Sequence, residues 1–327
     1  MKLLVLNKRE VEAMLPMQRC IALMEDALAS LARGQVILPL RPVLRIPDSA
    51  NAFALMPAYS KALKAIGAKL ITVFPGNQGT GLDSHQGAVL LFDGVRGRLL
   101  AMMDAASITA IRTAAVSGVA TRLLARKGAS TVAILGAGVQ GRAHVDAMLA
   151  VRPSLRVVIW SRNTEHARAL ADESSRRHRA EFIVAKDAAS AVKGADVVCT
   201  VTAAREPVLS GAWLRPGTHV NAVGASIPTA RELDTEAVRR SRIFVDRRES
   251  ALNEAGDLLI PMKEGAITAD AIVAEIGELL TGSKTGRRDD DEITLFKSLG
   301  LAVEDLACAH DLHDRAKREG SGTWVEL

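Results

Sequence analysis

Residues 131–150 restrict the possible folds of this chain more than any other stretch. A short apolar run, Thr131 to Leu135, leads directly into Gly136-Ala137-Gly138-Val139-Gln140-Gly141, and a helical pattern then continues to Ala150. Three glycines at this spacing, between a strand and a helix, answer three separate demands. Gly136 permits a tight turn, Gly138 lets a pyrophosphate approach the backbone, and Gly141 lets the helix lie close on the strand. The unpaired amides that open the helix, around Val139 and Gln140, then face the diphosphate at the positive end of the helix. The string predicts a βαβ unit that holds a dinucleotide.

The surrounding sequence supports that frame. Further strand-like runs lie at residues 157–160, 182–184, 197–200, 219–223 and 243–245, with helical segments between them. They are unbroken apolar runs rather than alternating ones, which suits a parallel sheet covered on both faces. The fold class read from this is α/β, a doubly wound Rossmann domain over residues 120–300.

Residues 1–119 have a different texture. A helix is expected over 8–34, where Met17, Cys20, Ile21, Met24, Leu28 and Leu31 follow helical spacing. Strands are expected at 70–74, 88–92 and 99–103, the last two joined as a hairpin at Asp93-Gly94 and Gly97. A small-residue helix follows at 109–125. A last helix at 301–318 has no sheet to follow and is expected to pack back on the N-terminal part. Residues 301–327 would then complete a discontinuous α+β domain.

At the end of the second strand, an NAD-selective site would place an acid against the ribose hydroxyls. This chain has Ser161-Arg162-Asn163-Thr164 there. A guanidinium flanked by hydroxyl and amide groups suits a 2′-phosphate, so NADPH is the expected cofactor, with NADH weaker. The competing reading is that Thr164 caps the next helix and Arg162 is merely solvated. Small residues at later strand ends, Thr202-Ala203 and Val223-Gly224, suit a ribose and nicotinamide close to backbone, or serve as simple turns.

Composition excludes several classes. The net charge of +5 is spread along the chain and aromatics make up 3%, which argues against nucleic acid. No apolar run approaches the roughly 18 residues of a membrane span. Lys8 and Arg9 follow the first apolar run, the reverse of a secretory signal, so a cytoplasmic location is expected. Three cysteines, Cys20, Cys199 and Cys308, all in apolar stretches, read as buried reduced thiols. The run Arg287 to Glu292 reads as a solvated loop whose consecutive carboxylates cannot converge, and no metal is expected.

A hydride-transfer site also needs a substrate pocket, and the first domain offers three cations in unusual settings. Lys69 opens an apolar run, Arg112 lies inside a helix of small and apolar residues, and Arg41 sits between prolines at Pro39 and Pro42. Each alone would serve equally as a structural ion pair. Together they suggest a clamp for a carboxylate.

The motifs as a set resemble the ornithine cyclodeaminase/mu-crystallin family over essentially the whole chain. They are Met56-Pro57-Ala58-Tyr59, Lys69, Phe74-Pro75, His85-Gln86-Gly87, Leu90 to Asp93, Met103-Asp104 and Thr109 to Ala115. The Gly136 loop, Asn221 to Ala225, Glu254 to Asp257 and Ile293 to Ser298 complete them.

The resemblance implies that Arg41, Lys69 and Arg112 hold the substrate carboxylate and the reacting carbon. It also implies that His85, Arg112 and Lys297 meet the cofactor, and that the N-terminal part forms a homodimer. Two departures bear on the reaction. Cyclodeaminases place an aspartate where this chain has Ser226, and a glutamate where it has Ala54. Both losses remove anions that a diamino acid needs.

The implied activity is NAD(P)H-dependent reduction of small cyclic imino acids, Δ1-pyrroline-2-carboxylate or Δ1-piperideine-2-carboxylate, to L-proline or L-pipecolate. In it Lys69 and Arg112 carry the catalysis, and Ser226 donates to the substrate or orders a water. An ornithine cyclodeaminase, an alanine dehydrogenase and an NADPH-dependent binding protein of the crystallin kind are the alternatives.

Overall fold

A computed structural model describes residues 2–77 and 80–326; Met1, Gln78, Gly79 and Leu327 lie outside the described residues. The chain divides into two compact units, Met1–Arg112 with Gly300–Leu327, and Thr113–Leu299. The division falls inside the helix Ala105–Leu124, a few residues before the position read from sequence.

The first unit is built on one mixed sheet. Its strands run in the order Thr323–Glu326, Lys2–Leu6, Leu99–Asp104, His85–Asp93, Ala65–Val73, Ala52–Ser60, Val36–Ile37, with Val43–Arg45 also paired to Ala52–Ser60. The hairpin expected at Asp93 is present, and Gly97 N donates to Asp93 O at 2.9 Å. One face alternates inward through Ala54, Met56, Ala58, Lys69, Ile71, Val89, Leu91, Ala101 and Met103, all buried. The C-terminal helix Ala302–Glu319 covers this face and packs on the helix Met17–Ala32. It comes so close that a Cβ on Gly67 would lie 2.9 Å from Leu306 Cβ.

The opposite face is apolar too. Phe53, Leu55, Pro57 and Tyr59 are only half-buried, and Ile66 and Met102 are exposed. A sheet face in contact with water would show polar residues at these positions.

Three expectations need correction in this unit. The helix over 8–34 is two helices, Lys8–Met14 and Met17–Ala32, because Pro16 has no N–H to donate and stands as the cap of the second. The small-residue helix begins at Ala105, since Asp104 accepts from Ser107 N at 2.8 Å and so opens it four residues early. The last helix is followed by one more strand, Thr323–Glu326, antiparallel to Lys2–Leu6.

The second unit is a wholly parallel eight-stranded sheet. Its order is Phe182–Val184, Arg156–Trp160, Thr131–Leu135, Val197–Thr200, His219–Ala222, Thr294–Lys297, Arg242–Val245, Ile272–Glu275. Chain order reverses at Thr131–Leu135, the switch point at which doubly wound sheets bind ligands. Two strands escaped the sequence reading, Ile272–Glu275 and Thr294–Lys297, and the second lies between His219–Ala222 and Arg242–Val245. His144, on the helix where a polar side chain would be expected at the surface, does not face solvent. It is fully buried, its Nδ1 donating to Gln140 O at 2.8 Å and its Nε2 2.9 Å from Ser117 Oγ. Burial pushes its imidazole down to about 4, so it is neutral. Nor is Arg287 a solvated loop residue, because it donates to Leu124 O at 2.6 Å and to Thr294 Oγ1 at 3.0 Å. None of the helices among the described residues is long and apolar enough to cross a membrane.

Candidate functional site

In the first unit the three cations come together on the buried face of the sheet. Lys69 sits mid-strand in Ala65–Val73, opposite Met56 on one side and Val89 on the other. Its ammonium lies 2.8 Å from Asp305 Oδ2 and donates to Thr109 Oγ1 at 3.3 Å. Arg112, one turn after Thr109 on the same helix, reaches Asp305 Oδ1 with Nε at 3.1 Å and Glu304 Oε2 with NH1 at 2.8 Å. Arg41 is half-buried, with NH1 4.0 Å from Sδ of Met56, the cross-strand partner of Lys69.

Burial sets the electrostatics of this group. Lys69 and Arg112 are 2% and 3% exposed. For Lys69, burial and then the charge of Arg112 outweigh Asp305 and bring its ammonium down to about 8. For Arg112, burial opposes the charge, but Asp305 and Glu304 prevail and hold the guanidinium above its ordinary value. Asp305 is likewise buried, yet Arg112 and Lys69 keep its carboxyl below the usual range. Gly300 is required here. Its φ is +78°, and a Cβ would overlap the Arg112 guanidinium.

Sequence reasoning missed Asp305 and Glu304, although a signal was present. They are adjacent acids in the otherwise apolar stretch Leu301 to Cys308, and buried carboxylates demand cations just as Arg112 demands anions. His85 stands exposed at the start of its strand, with Nδ1 3.0 Å from Ser84 Oγ.

In the second unit the glycine loop can be tested position by position. Gly136 has φ +124°, and a Cβ there would come 2.7 Å from Val201 O. A Cβ on Gly141 would overlap the Gly136 carbonyl oxygen, so helix and turn touch backbone to backbone. Gly138 differs. Its φ is −87° and a Cβ would meet no protein atom within 4 Å. Neither strain nor packing asks for glycine at 138, and a ligand approaching the backbone is the demand that remains. The helix Val139–Val151 begins there without a side-chain cap, and its first residue, Val139, is exposed. These residues fit a dinucleotide diphosphate.

After the strand Arg156–Trp160, Ser161 is half-buried and Arg162 is exposed. The cap of the next helix is Asn163, accepting from Glu165 N at 2.9 Å, and not Thr164. Thr202 is half-buried and Ala203 exposed, while Val223 and Gly224 are half-buried and Ser226 is exposed. Lys297, expected among the cofactor contacts, is fully buried with Nζ 2.9 Å from Asp257 Oδ2. Asp257 Oδ1 in turn accepts from Glu232 N at 2.7 Å.

The comparisons with known proteins agree with one another. The profile of the ornithine cyclodeaminase/mu-crystallin family matches residues 1–320. The chain is similar to a Delta(1)-pyrroline-2-carboxylate reductase of Bacillus cereus, 38% identical over 99% of this chain and 100% of the relative. It is also similar to the mouse (Mus musculus) ketimine reductase mu-crystallin, 42% identical over 89% of this chain and 90% of that protein. Among solved structures, Thermococcus litoralis Delta(1)-pyrroline-2-carboxylate reductase in complex with NADH and L-proline superposes with a TM-score of 0.96. It is 40% identical, covering 98% of this chain and 99% of that one.

Proposed function

The chain belongs to the ornithine cyclodeaminase/mu-crystallin family, and we propose that it is an NADPH-dependent reductase of small cyclic imino acids, Δ1-pyrroline-2-carboxylate or Δ1-piperideine-2-carboxylate, forming L-proline or L-pipecolate. One observation carries this reading most. Lys69 is a buried ammonium whose proton is held only moderately, at about 8, beside a second buried cation, Arg112. Such a group stays charged at neutral pH and can still hand a proton to a ring nitrogen.

Arg41 and Arg112 hold the substrate carboxylate and fix its orientation. Lys69 hydrogen-bonds the carboxylate or the ring nitrogen and keeps the C=N protonated, because an iminium carbon accepts hydride far better than a neutral imine. Ser226 donates to the substrate or orders a water. The glycine loop from Gly136 to Gly141 holds the diphosphate, with the amides of Val139 and Gln140 at the helix start. Ser161, Arg162 and Asn163 hold the 2′-phosphate, and the exposed Arg162 has no acid beside it in sequence to repel that group. Thr202, Ala203, Val223 and Gly224 line the ribose and nicotinamide, and His85 reaches the same cofactor. Reduced nicotinamide supplies the hydride when bound.

The second face of the first sheet supports a homodimer. Its outward residues Phe53, Leu55, Tyr59, Ile66 and Met102 are apolar across several strands, and a second copy of the same face would remove them from water. The proposed setting is cytoplasmic, where the buried thiols of Cys20, Cys199 and Cys308 stay reduced.

The test is an NADPH-oxidation screen over five- and six-membered cyclic imino acids, with pyruvate plus amines and ornithine plus NAD+ as comparators. Turnover of a cyclic imine above the comparators is expected. Proline and ammonia from ornithine would indicate a cyclodeaminase, and NADPH binding without any turnover a binding protein.

A further inference from the structure

Glu232 plays no part in the reading above, yet its carboxylate accepts three hydrogen bonds from two loops. It is fully buried. Its Oε1 accepts from Thr202 N at 2.6 Å and from Thr202 Oγ1 at 2.7 Å, and its Oε2 accepts from Gly224 N at 2.7 Å. Thr202 follows the strand Val197–Thr200, and Gly224 follows the neighbouring strand His219–Ala222. One side chain therefore ties together the loops at the carboxyl ends of two adjacent parallel strands. Space at this point is tight, since a Cβ on Gly224 would overlap Thr202 O and lie 2.6 Å from Glu232 Cδ.

The strut is anchored and shared. Glu232 N and Leu233 N donate to Asp257 Oδ1 at 2.7 and 3.1 Å, and Asp257 Oδ2 faces the Lys297 ammonium at 2.9 Å. Glu232 O accepts from Val208 N and Leu209 N at 2.7 and 2.9 Å. The same Val201-Thr202 segment also bounds the Gly136 turn, where Val201 O and Thr202 Cγ2 would lie 2.7 and 3.2 Å from an added Cβ. The Thr202 loop, which bounds the glycine turn, and the Gly224 loop thus rest on one buried carboxyl group.

We propose that Glu232 is a positioning residue for the dinucleotide, acting by holding the Thr202 and Gly224 loops at a fixed separation through its two carboxylate oxygens. The proposal rests on the cofactor reading above, because those loops matter only if a dinucleotide lies against them. A carboxylate is required for a simple reason. Each oxygen serves a backbone N–H of a different loop, whereas an amide has one acceptor and would turn its NH2 toward the other N–H. Glu232→Gln is nearly isosteric and releases one loop at a time. Aspartate is one methylene too short to span both.

The experiment titrates NADPH and NADH separately into the parent and Glu232→Gln proteins, with hydrogen exchange read by mass spectrometry. Glu232→Gln is expected to weaken both dinucleotides by about tenfold, the worth of one charge-assisted hydrogen bond. It should leave the NADPH-to-NADH ratio unchanged and speed exchange only around residues 201–204 and 223–226. Dissociation constants within about twofold of the parent overturn the proposal. If Glu232→Gln does not fold, the parent decides alone. NADPH should protect the two segments together, and protection of one without the other overturns the strut. A parent that binds neither dinucleotide defeats the cofactor reading and this proposal with it, a result distinct from a parent that binds and a variant that is unaffected.

Discussion

Lys69 and Arg112, 43 positions apart in sequence, hold opposite oxygens of one carboxylate, that of Asp305, at 2.8 and 3.1 Å. The two cations are thereby fixed relative to each other. Fixed charges in a dry setting do not have to reorganise when an anion binds.

Lys69 should set the alkaline limb of the reaction. Its ammonium titrates at about 8, so kcat/KM should fall as pH rises through that value. Lys69→Ala should lower kcat by about a hundredfold or more. The sign for stability is the reverse of that for activity. The folded value lies below the ordinary 10.5, so between about 8 and 10.5 the unfolded chain binds the additional proton and this residue favours the fold more as pH rises. A pH–rate profile flat to pH 9 would reject the assignment.

Asp305 should matter to stability and to substrate binding together. Asp305→Ala leaves two buried cations without their shared partner, a change that costs about 3 kcal/mol or more. Urea denaturation should show the loss. Gly300→Ala should act on the same place from the other side, since its Cβ would displace Arg112. A rise in KM for the imino acid is the expected signature, and unchanged kinetics in Gly300→Ala would count against Arg112 as a substrate residue.

The glycine loop offers a comparison between neighbours. Gly141→Ala should destabilise the second unit, because its Cβ meets the Gly136 carbonyl oxygen. Gly138→Ala meets nothing in the protein and should melt as the parent does. It should nonetheless weaken NADPH by about tenfold or more if that space receives a phosphate. Equal affinity in parent and Gly138→Ala would remove the ligand reason for this glycine.

Arg162 should choose the cofactor. Arg162→Asp is expected to reverse the preference from NADPH toward NADH by about a hundredfold in the ratio of kcat/KM values, since a guanidinium bound to a phosphate becomes an anion facing it. A ratio left within threefold, on the order of the scatter in such measurements, would mean that the 2′-phosphate is held elsewhere.

Much of this was legible in the sequence, for identifiable reasons. The parallel sheet announces itself through unbroken apolar runs such as Thr131–Leu135, and the glycine loop through a spacing that few other structures need. What stayed hidden was set at a distance. Thr294–Lys297 is a strand of four residues ending in lysine, and the Asp257 carboxylate makes a buried lysine tolerable there. Glu232 lies in an irregular segment with no period to reveal which way it points. Asp305 could be matched with Lys69 only after the last helix was laid on the sheet, although two acids in an apolar helix already required cations.

The first unit is closed by its own tail. Lys69 and Arg112 leave the ribosome before the carboxylates that neutralise them, which follow 236 and 192 residues later in the helix Ala302–Glu319. Until that helix has been made, the nascent segment carries charges that cannot yet be buried. The second unit, by contrast, has its whole parallel sheet by Lys297. Synthesis therefore delivers a finished nucleotide-type sheet first, and only the last strand and helix turn the opening segment into a working half.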